Sequence, residues 1–147
     1  MANELSTSVQ EIVQYIVVNL GDEQYGIDIS YIDNIVRMQN ITRVPKVAPY
    51  LKGVINLRGE VIPVMSLRVK MGLDEDVISK DSRIIILKIN HESIGVLVDS
   101  VKEVVNLNMS EVEKVSFENR ENNFVMGVGK QGEALISLLD LNAVLQD

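Results

Sequence analysis

His91 is the only histidine in 147 residues, and cysteine is absent. A catalytic triad, a His-rich metal centre or a phosphoacceptor histidine would all have to rest on this one side chain. It stands in Asn90-His91-Glu92-Ser93, a polar group between apolar runs that predicts a solvated turn, whereas catalytic and ligating histidines need an orienting partner and a cleft. Asp74-Glu75-Asp76 offers adjacent carboxylates, but it lacks the alternating ligand positions and the glycine of a calcium loop, and it reads as a solvated linker. Gly127-Val128-Gly129-Lys130-Gln131-Gly132 matches G-x-G-x-x-G literally, yet Glu133-Ala134-Leu135-Ile136 after it reads as a strand, not as the helix a dinucleotide site requires. About 15 residues remain beyond it, about half of a βαβ unit. The scattered methionines read as gap fillers of a core. No acid/base, metal or cofactor constellation emerges, so the expected protein is not an enzyme and carries no cofactor.

One stretch remains conspicuous: Gly53-Val54-Ile55-Asn56-Leu57-Arg58-Gly59-Glu60-Val61-Ile62-Pro63-Val64-Met65-Ser66-Leu67-Arg68. Two apolar runs flank an Arg-Gly tip, the signature of a tight hairpin. Pro63 lies inside the second run, where a central strand would need its N–H. Arg58 is open to two readings. It is either an ordinary exposed turn residue, or a guanidinium raised on a rigid hairpin as an anchor for a protein partner, since arginine brings a planar five-donor fork and is enriched at binding hot spots.

The elements around it follow from composition. With 46% hydrophobic residues, 4% aromatic and no Trp, the core must be built from Val, Ile and Leu, and the β-branched pair favours strands. A chain of this length can bury most of its unfolded surface in one compact unit or two small ones. The formal charge of −7 with no dense basic run argues against a nucleic-acid partner. The N-terminal ten residues have no signal-peptide character, and runs such as Ile84-Ile85-Ile86-Leu87 are far shorter than the ~20 residues of a membrane span. A cytoplasmic protein without membrane insertion is expected.

The chain also repeats itself. Residues 15–38 align without a gap on residues 84–107 at an offset of 69, which sets Gly26 on Gly95. Residues 53–67 resemble 127–141 once small gaps are allowed, with Gly59-Glu60 over Gly132-Glu133. Each copy reads as short strands separated by turns, a pattern of small barrels or a sandwich. Asp28 is expected to cap a short helix carrying Ile29, Ile32 and Ile35-Val36 on one side, and Pro45 and Pro49 break the chain before the hairpin. The reading is mostly β, a single domain over residues 1–147 with one barrel-like subdomain over residues 12–79, a second over 80–147 and an approximate boundary near Ser79 that leaves room for the chain to cross between them.

Three motifs carry a family resemblance: residues 20–37 (LGDEQYGIDISYIDNIVR), 50–68 (YLKGVINLRGEVIPVMSLR) and 94–105 (IGVLVDSVKEVV). In order and spacing they resemble the CheW chemotaxis coupling proteins, from about Gln14 to Leu145. The resemblance implies a non-enzymatic scaffold of two SH3-like five-stranded barrels with short helices. Such a scaffold joins the helical cytoplasmic tips of chemoreceptors to the regulatory domain of the histidine kinase CheA, in arrays at the membrane.

By the same resemblance, Arg58 and Gly59 match the Asn-Leu-Arg-Gly signature, with Gly53 at the preceding glycine, and the arginine is implicated in receptor binding. Ile32 and Val104 match apolar positions of a groove between the barrels, where a receptor helix would lie. Asn34 stands where the family commonly has Glu, which removes one charged contact; Asp33 and Glu60 are candidate substitutes. Phe117, an apolar residue within the polar segment 109–123, either pins its own loop or anchors a kinase contact. The alternative is a stand-alone regulatory domain of a kinase or a CheV-like module, in which a coupling domain precedes a receiver, serving a different kinase or receptor; the expectation is that neither a receiver nor a kinase follows Asp147.

Overall fold

Runs such as Tyr15-Ile16-Val17-Val18 and Ile84-Ile85-Ile86-Leu87 are aliphatic or aromatic at every position, so strands made from them must be covered on both faces. In the computed structural model, which describes residues 11–115 and 124–146, they form β1 (Ile12–Leu20) and β6 (Arg83–Ile89). Their side chains alternate as a pleated strand dictates. Tyr15 and Val17 enter one cluster with Val105, Leu107, Ile136 and Leu138. Ile84 and Ile86 enter a second with Ile55, Ile62, Val64 and Leu97. The intervening Ile16, Val18, Ile85 and Leu87 turn the other way and meet in a third, larger cluster shared by both strands.

The remaining elements are β2 (Glu23–Asp28), β3 (Ile32–Arg37), β4 (Leu51–Leu57), β5 (Glu60–Ser66), α1 (Leu67–Lys70), β7 (Glu92–Val98), β8 (Ser100–Asn108), β9 (Glu113–Lys114), β10 (Val125–Gln131), β11 (Ala134–Leu139) and α2 (Leu141–Val144). They make two sheets, β8-β1-β2-β11-β10-β9 and β3-β6-β7-β5-β4. In the second sheet, the chain leaving β3 pairs with β4 through reciprocal Thr42–Val54 bonds of 2.8 and 2.9 Å, which closes the sheet on itself. The pairing of β9 with β10 does the same for the first. The mostly-β, two-sheet expectation therefore holds, and the architecture is that of two small barrels, each with its own interior and a core between them.

A cut at Ser79 does not separate these sheets. Hairpin β1–β2 precedes Ser79 but lies in the sheet of β8 to β11, while β6–β7 follows it but lies in the sheet of β3 to β5. Each half lends its first hairpin to the other, and the crossings are sealed by the only two parallel pairings among the described residues, β2–β11 and β5–β7. The matched glycines sit at these seams: a Cβ on Gly26 would lie 2.9 Å from Leu138, and one on Gly95 would lie 2.8 Å from Ile84 and 3.3 Å from Val64.

The helix expected after Asp28 is also corrected. Asp28 accepts a 2.9 Å bond from the Ser30 N–H, but it caps only a 3-10 turn, Ile29–Tyr31. Ile32–Arg37 is a strand paired with β6 whose register slips between Ile32 and Asn34. That bulge inserts one residue, Asp33, so Ile32 and Ile35 share a face at a spacing of three and mimic helical periodicity.

Candidate functional site

The Arg-Gly tip is a two-residue loop closed by Leu57 opposite Glu60. Arg58 has φ 55 and Gly59 φ 82, the pair of left-handed residues that a type I′ hairpin turn demands because its twist matches that of the strands. Glycine meets this demand freely; arginine meets it only against its Cβ. Arg58 is exposed, and among the described residues nothing offers its guanidinium a hydrogen bond or an ion pair. Pro63, one residue before β5 begins to pair with β7 at Val64, lies where that flank of the strand is still open, so its missing N–H is tolerated. Gly53 has a different place. It is buried with φ 145, and a Cβ there would lie 2.1 Å from the Thr42 carbonyl oxygen, so it lets the closing segment lie on β4.

β3 and β8 are the edge strands of their sheets. Ile32 and Ile35 from one and Val101 from the other pack on the shared central cluster, and Val104, in register with Ile16, is 51% exposed. β8 carries a bulge opposite Val17/Val18, equivalent by the repeat to the one in β3. Ile32 is thus the repeat mate of Val101, and Ile35 of Val104. The two strands edge one apolar layer. Asn34 at the β3 bulge uses its Oδ1 to accept the Ile35 N–H at 2.8 Å, so its side chain caps local backbone. Phe117 lies outside the described residues.

Beside this layer is the strongest polar feature of the molecule. Arg68 on α1 donates to Asp99 through Nε at 2.8 Å and Nη2 at 2.6 Å, and Asp99 also accepts the Gly21 N–H at 2.8 Å. The arrangement ties the β5–α1 corner, the β7–β8 corner and the β1–β2 turn together. These bonds hold the Asp99 carboxyl below the usual carboxylate range, the Arg68 bonds being the main cause, and raise the Arg68 guanidinium. At the equivalent end of the central layer stand the neutral Asn90 and Asn142, in a cavity of about 740 Å³ that also includes Val61, Pro63 and His91. One end of the layer is bolted, and the other is open. Sequence reasoning did not find this pair; the only signal was a charge, Asp99, interrupting the apolar run of residues 94–101.

The acidic linker is not simply solvated. Glu75 pairs with Lys52 at 2.8 Å. The hydroxyl of Ser66, which caps α1 by accepting the Val69 N–H at 3.1 Å, donates to Asp76 Oδ2. Asp76 Oδ1 is buried without a partner, and burial pushes this carboxyl above its ordinary range. The other chemical candidates occupy turns and strands. His91 is an exposed turn residue with φ 67, the glycine motif is strand β10 and its turn into β11, and no group of His, Asp or Glu among the described residues could hold a metal.

A family model described as the CheW-like domain matches residues 14–147. The chain belongs to the CheW family. Among curated relatives, the chemotaxis protein CheW of Helicobacter pylori is 35% identical over 138 residues, covering 93% of this chain and 84% of that protein. The chemotaxis protein CheW of Bacillus subtilis is 36% identical over 132 residues, covering 88% and 85%. The crystal structure of the scaffolding protein TtCheW from Thermoanaerobacter tengcongensis superposes with a TM-score of 0.84 at 32% identity, over 93% of this chain and 94% of that one. In this CheW-family chain no helix of the described residues is long and apolar enough to cross a membrane.

Proposed function

We propose that this chain is a non-enzymatic chemotaxis scaffold that couples chemoreceptor tips to the kinase CheA in a membrane-associated array. The receptor's helical tip lies along the apolar layer edged by Ile32 and Val104, and Arg58 engages it from the β4–β5 hairpin. The observation that carries this reading is the state of Arg58: exposed, without a partner among the described residues, and held at a φ of 55 that favours glycine or asparagine. An exposed turn residue that carries a guanidinium free of partners among the described residues, on a backbone that disfavours it, is a candidate for contact outside the fold. Gly59 and Gly53 serve by positioning, the first supplying the turn and the second seating the strand closure beneath it. Asn34 is occupied with its own backbone, so the carboxylate common in the family at this place has no direct replacement there; Asp33, its neighbour in the chain, and Glu60, beside the Arg58 tip, are the candidate substitutes. Phe117 is proposed as an anchor toward the kinase.

Calorimetric titration against a receptor cytoplasmic fragment and, separately, against the CheA regulatory domain tests the reading. Selective loss of receptor binding in Arg58→Ala, with kinase binding kept, is the expected result. Equal binding of both partners by that variant would remove Arg58 from the receptor face.

A further inference from the structure

Between Asp33 and Glu60 the chain has no acidic residue but carries five cations, Arg37, Arg43, Lys46, Lys52 and Arg58. The other nine Lys and Arg face all 21 acids, so this segment is a positive island in an anionic molecule. Three of its cations, Arg43, Lys46 and Lys52, line one open cavity of about 940 Å³ with Val44 and Val47. Both valines are more than a third exposed, at 39% and 38%. Pro45 and Pro49 stiffen the loop, and Lys46 is held at φ 62, a left-handed conformation that a lysine adopts only where its surroundings impose it. One carboxylate already reaches the rim: Glu75, from the linker, sits 2.8 Å from Lys52 with its own side chain 70% exposed.

We propose that the loop of residues 41–52 is a docking surface for an acidic protein segment bearing an aliphatic side chain. Carboxylates of that segment meet Arg43, Lys46 and Lys52, displacing Glu75, and the aliphatic group settles against Val44 and Val47. Charge complementarity selects the occupant: an anionic chain is repelled by most of this molecule and attracted here, so the island both steers and orients it. The exposed valines ask in addition for an apolar group, which separates this surface from a simple polyanion site. The proposal does not depend on the receptor reading of Arg58.

The test uses the full chain, isotopically labelled, titrated with a twelve-residue peptide of repeating Glu-Glu-Leu-Leu and followed by amide chemical shifts. Lys-Lys-Leu-Leu and Glu-Glu-Ser-Ser peptides serve as controls. Shifts centred on 41–52 and Glu75 for the acidic aliphatic peptide alone are expected. The double variant Arg43→Glu/Lys46→Glu should weaken binding by about tenfold or more, and Glu75→Gln should strengthen it about twofold, as an exposed competing ion pair is removed. No shifts, shifts centred elsewhere, or equal binding of Glu-Glu-Ser-Ser would overturn the proposal. So would equal binding of a short DNA oligonucleotide or of phosphatidylglycerol vesicles. Melting curves of the variants, all at exposed or rim positions, confirm that loss of binding is not loss of fold.

Discussion

Replacing Arg58 by asparagine separates stability from function. The residue occupies the first of two left-handed positions in the turn, with φ 55. An L-residue with a Cβ held there costs about 1 kcal/mol, and asparagine, the preferred residue at this place of a type I′ turn, relieves about half of that or more. Nothing is lost in exchange, because the guanidinium is exposed and has no partner among the described residues. Arg58→Asn should therefore raise Tm by about 1–4 °C, from ~0.5–1 kcal/mol in a chain of this size. Arg58→Ala should leave Tm almost unchanged, since alanine meets the same backbone penalty. Binding should move the other way: as a hot-spot arginine, Arg58 is worth about 2 kcal/mol, so either variant should weaken the receptor fragment about thirtyfold. The assays are thermal melts by circular dichroism and calorimetric titration on the same preparations. A variant with asparagine that melts lower, or that binds the receptor fragment as tightly as the parent, would refute the reasoning, because Arg58 would then be structural in the first case and idle in the second.

Gly95→Ala should cost about 2 kcal/mol, because its Cβ would sit 2.8 Å from a fully buried Ile84 at the parallel seam; a melt within 1 °C of the parent would show that the seam is loosely packed. Val104→Asp, at a half-exposed edge position, should change Tm little while abolishing calorimetric binding of the receptor fragment; retained binding would place the helix elsewhere. Asp99→Asn should lower stability at pH 7 by about 1–2 kcal/mol. Because the Asp99 carboxyl is held below its ordinary value, its contribution is present above that value and lost as pH falls through the native one, so the gap should close below about pH 4. Asp76 has the opposite sign. Its carboxyl is raised by burial, so the parent loses stability as pH rises from the ordinary carboxylate value through the raised one, and Asp76→Asn should gain relative to the parent between pH 4 and pH 7. Melts of Asp76→Asn at pH 4 and pH 7, and of Asp99→Asn from pH 7 down to about pH 2, check the pair, and variants whose stability follows the parent's in parallel over these ranges would contradict both assignments.

Much of this was written in local sequence. The repeat at an offset of 69 located the strands, their turns and the two glycines, Gly26 and Gly95, and the Asn-Leu-Arg-Gly stretch marked the hairpin tip. Strand alternation and turn chemistry act between neighbours in the chain, so they are legible without a structure. Which sheet each hairpin joins is not. Because the two halves have nearly the same local pattern, hairpin β1–β2 satisfies its own requirements in either sheet, and only long-range packing across the parallel seams selects the exchange. The bulges in β3 and β8 turned a strand into an apparent helical spacing, since one inserted residue shifts the period from two to three. The sequence marks Gly53 only as a glycine before the hairpin; that it seats the Thr42 carbonyl depends on a contact across the closed sheet. Arg68 and Asp99, 31 residues apart, are brought together by the parallel pairing of β5 with β7, and the cations and valines of the 41–52 loop meet Glu75 only in the folded chain. Sequence by itself determined the strands and the turns, which depend on residue type and short spacing. Tertiary structure alone decided the crossing of the halves, the bolted and open ends of the central layer, and which side chains face outward, because each depends on contacts between residues that the chain keeps far apart.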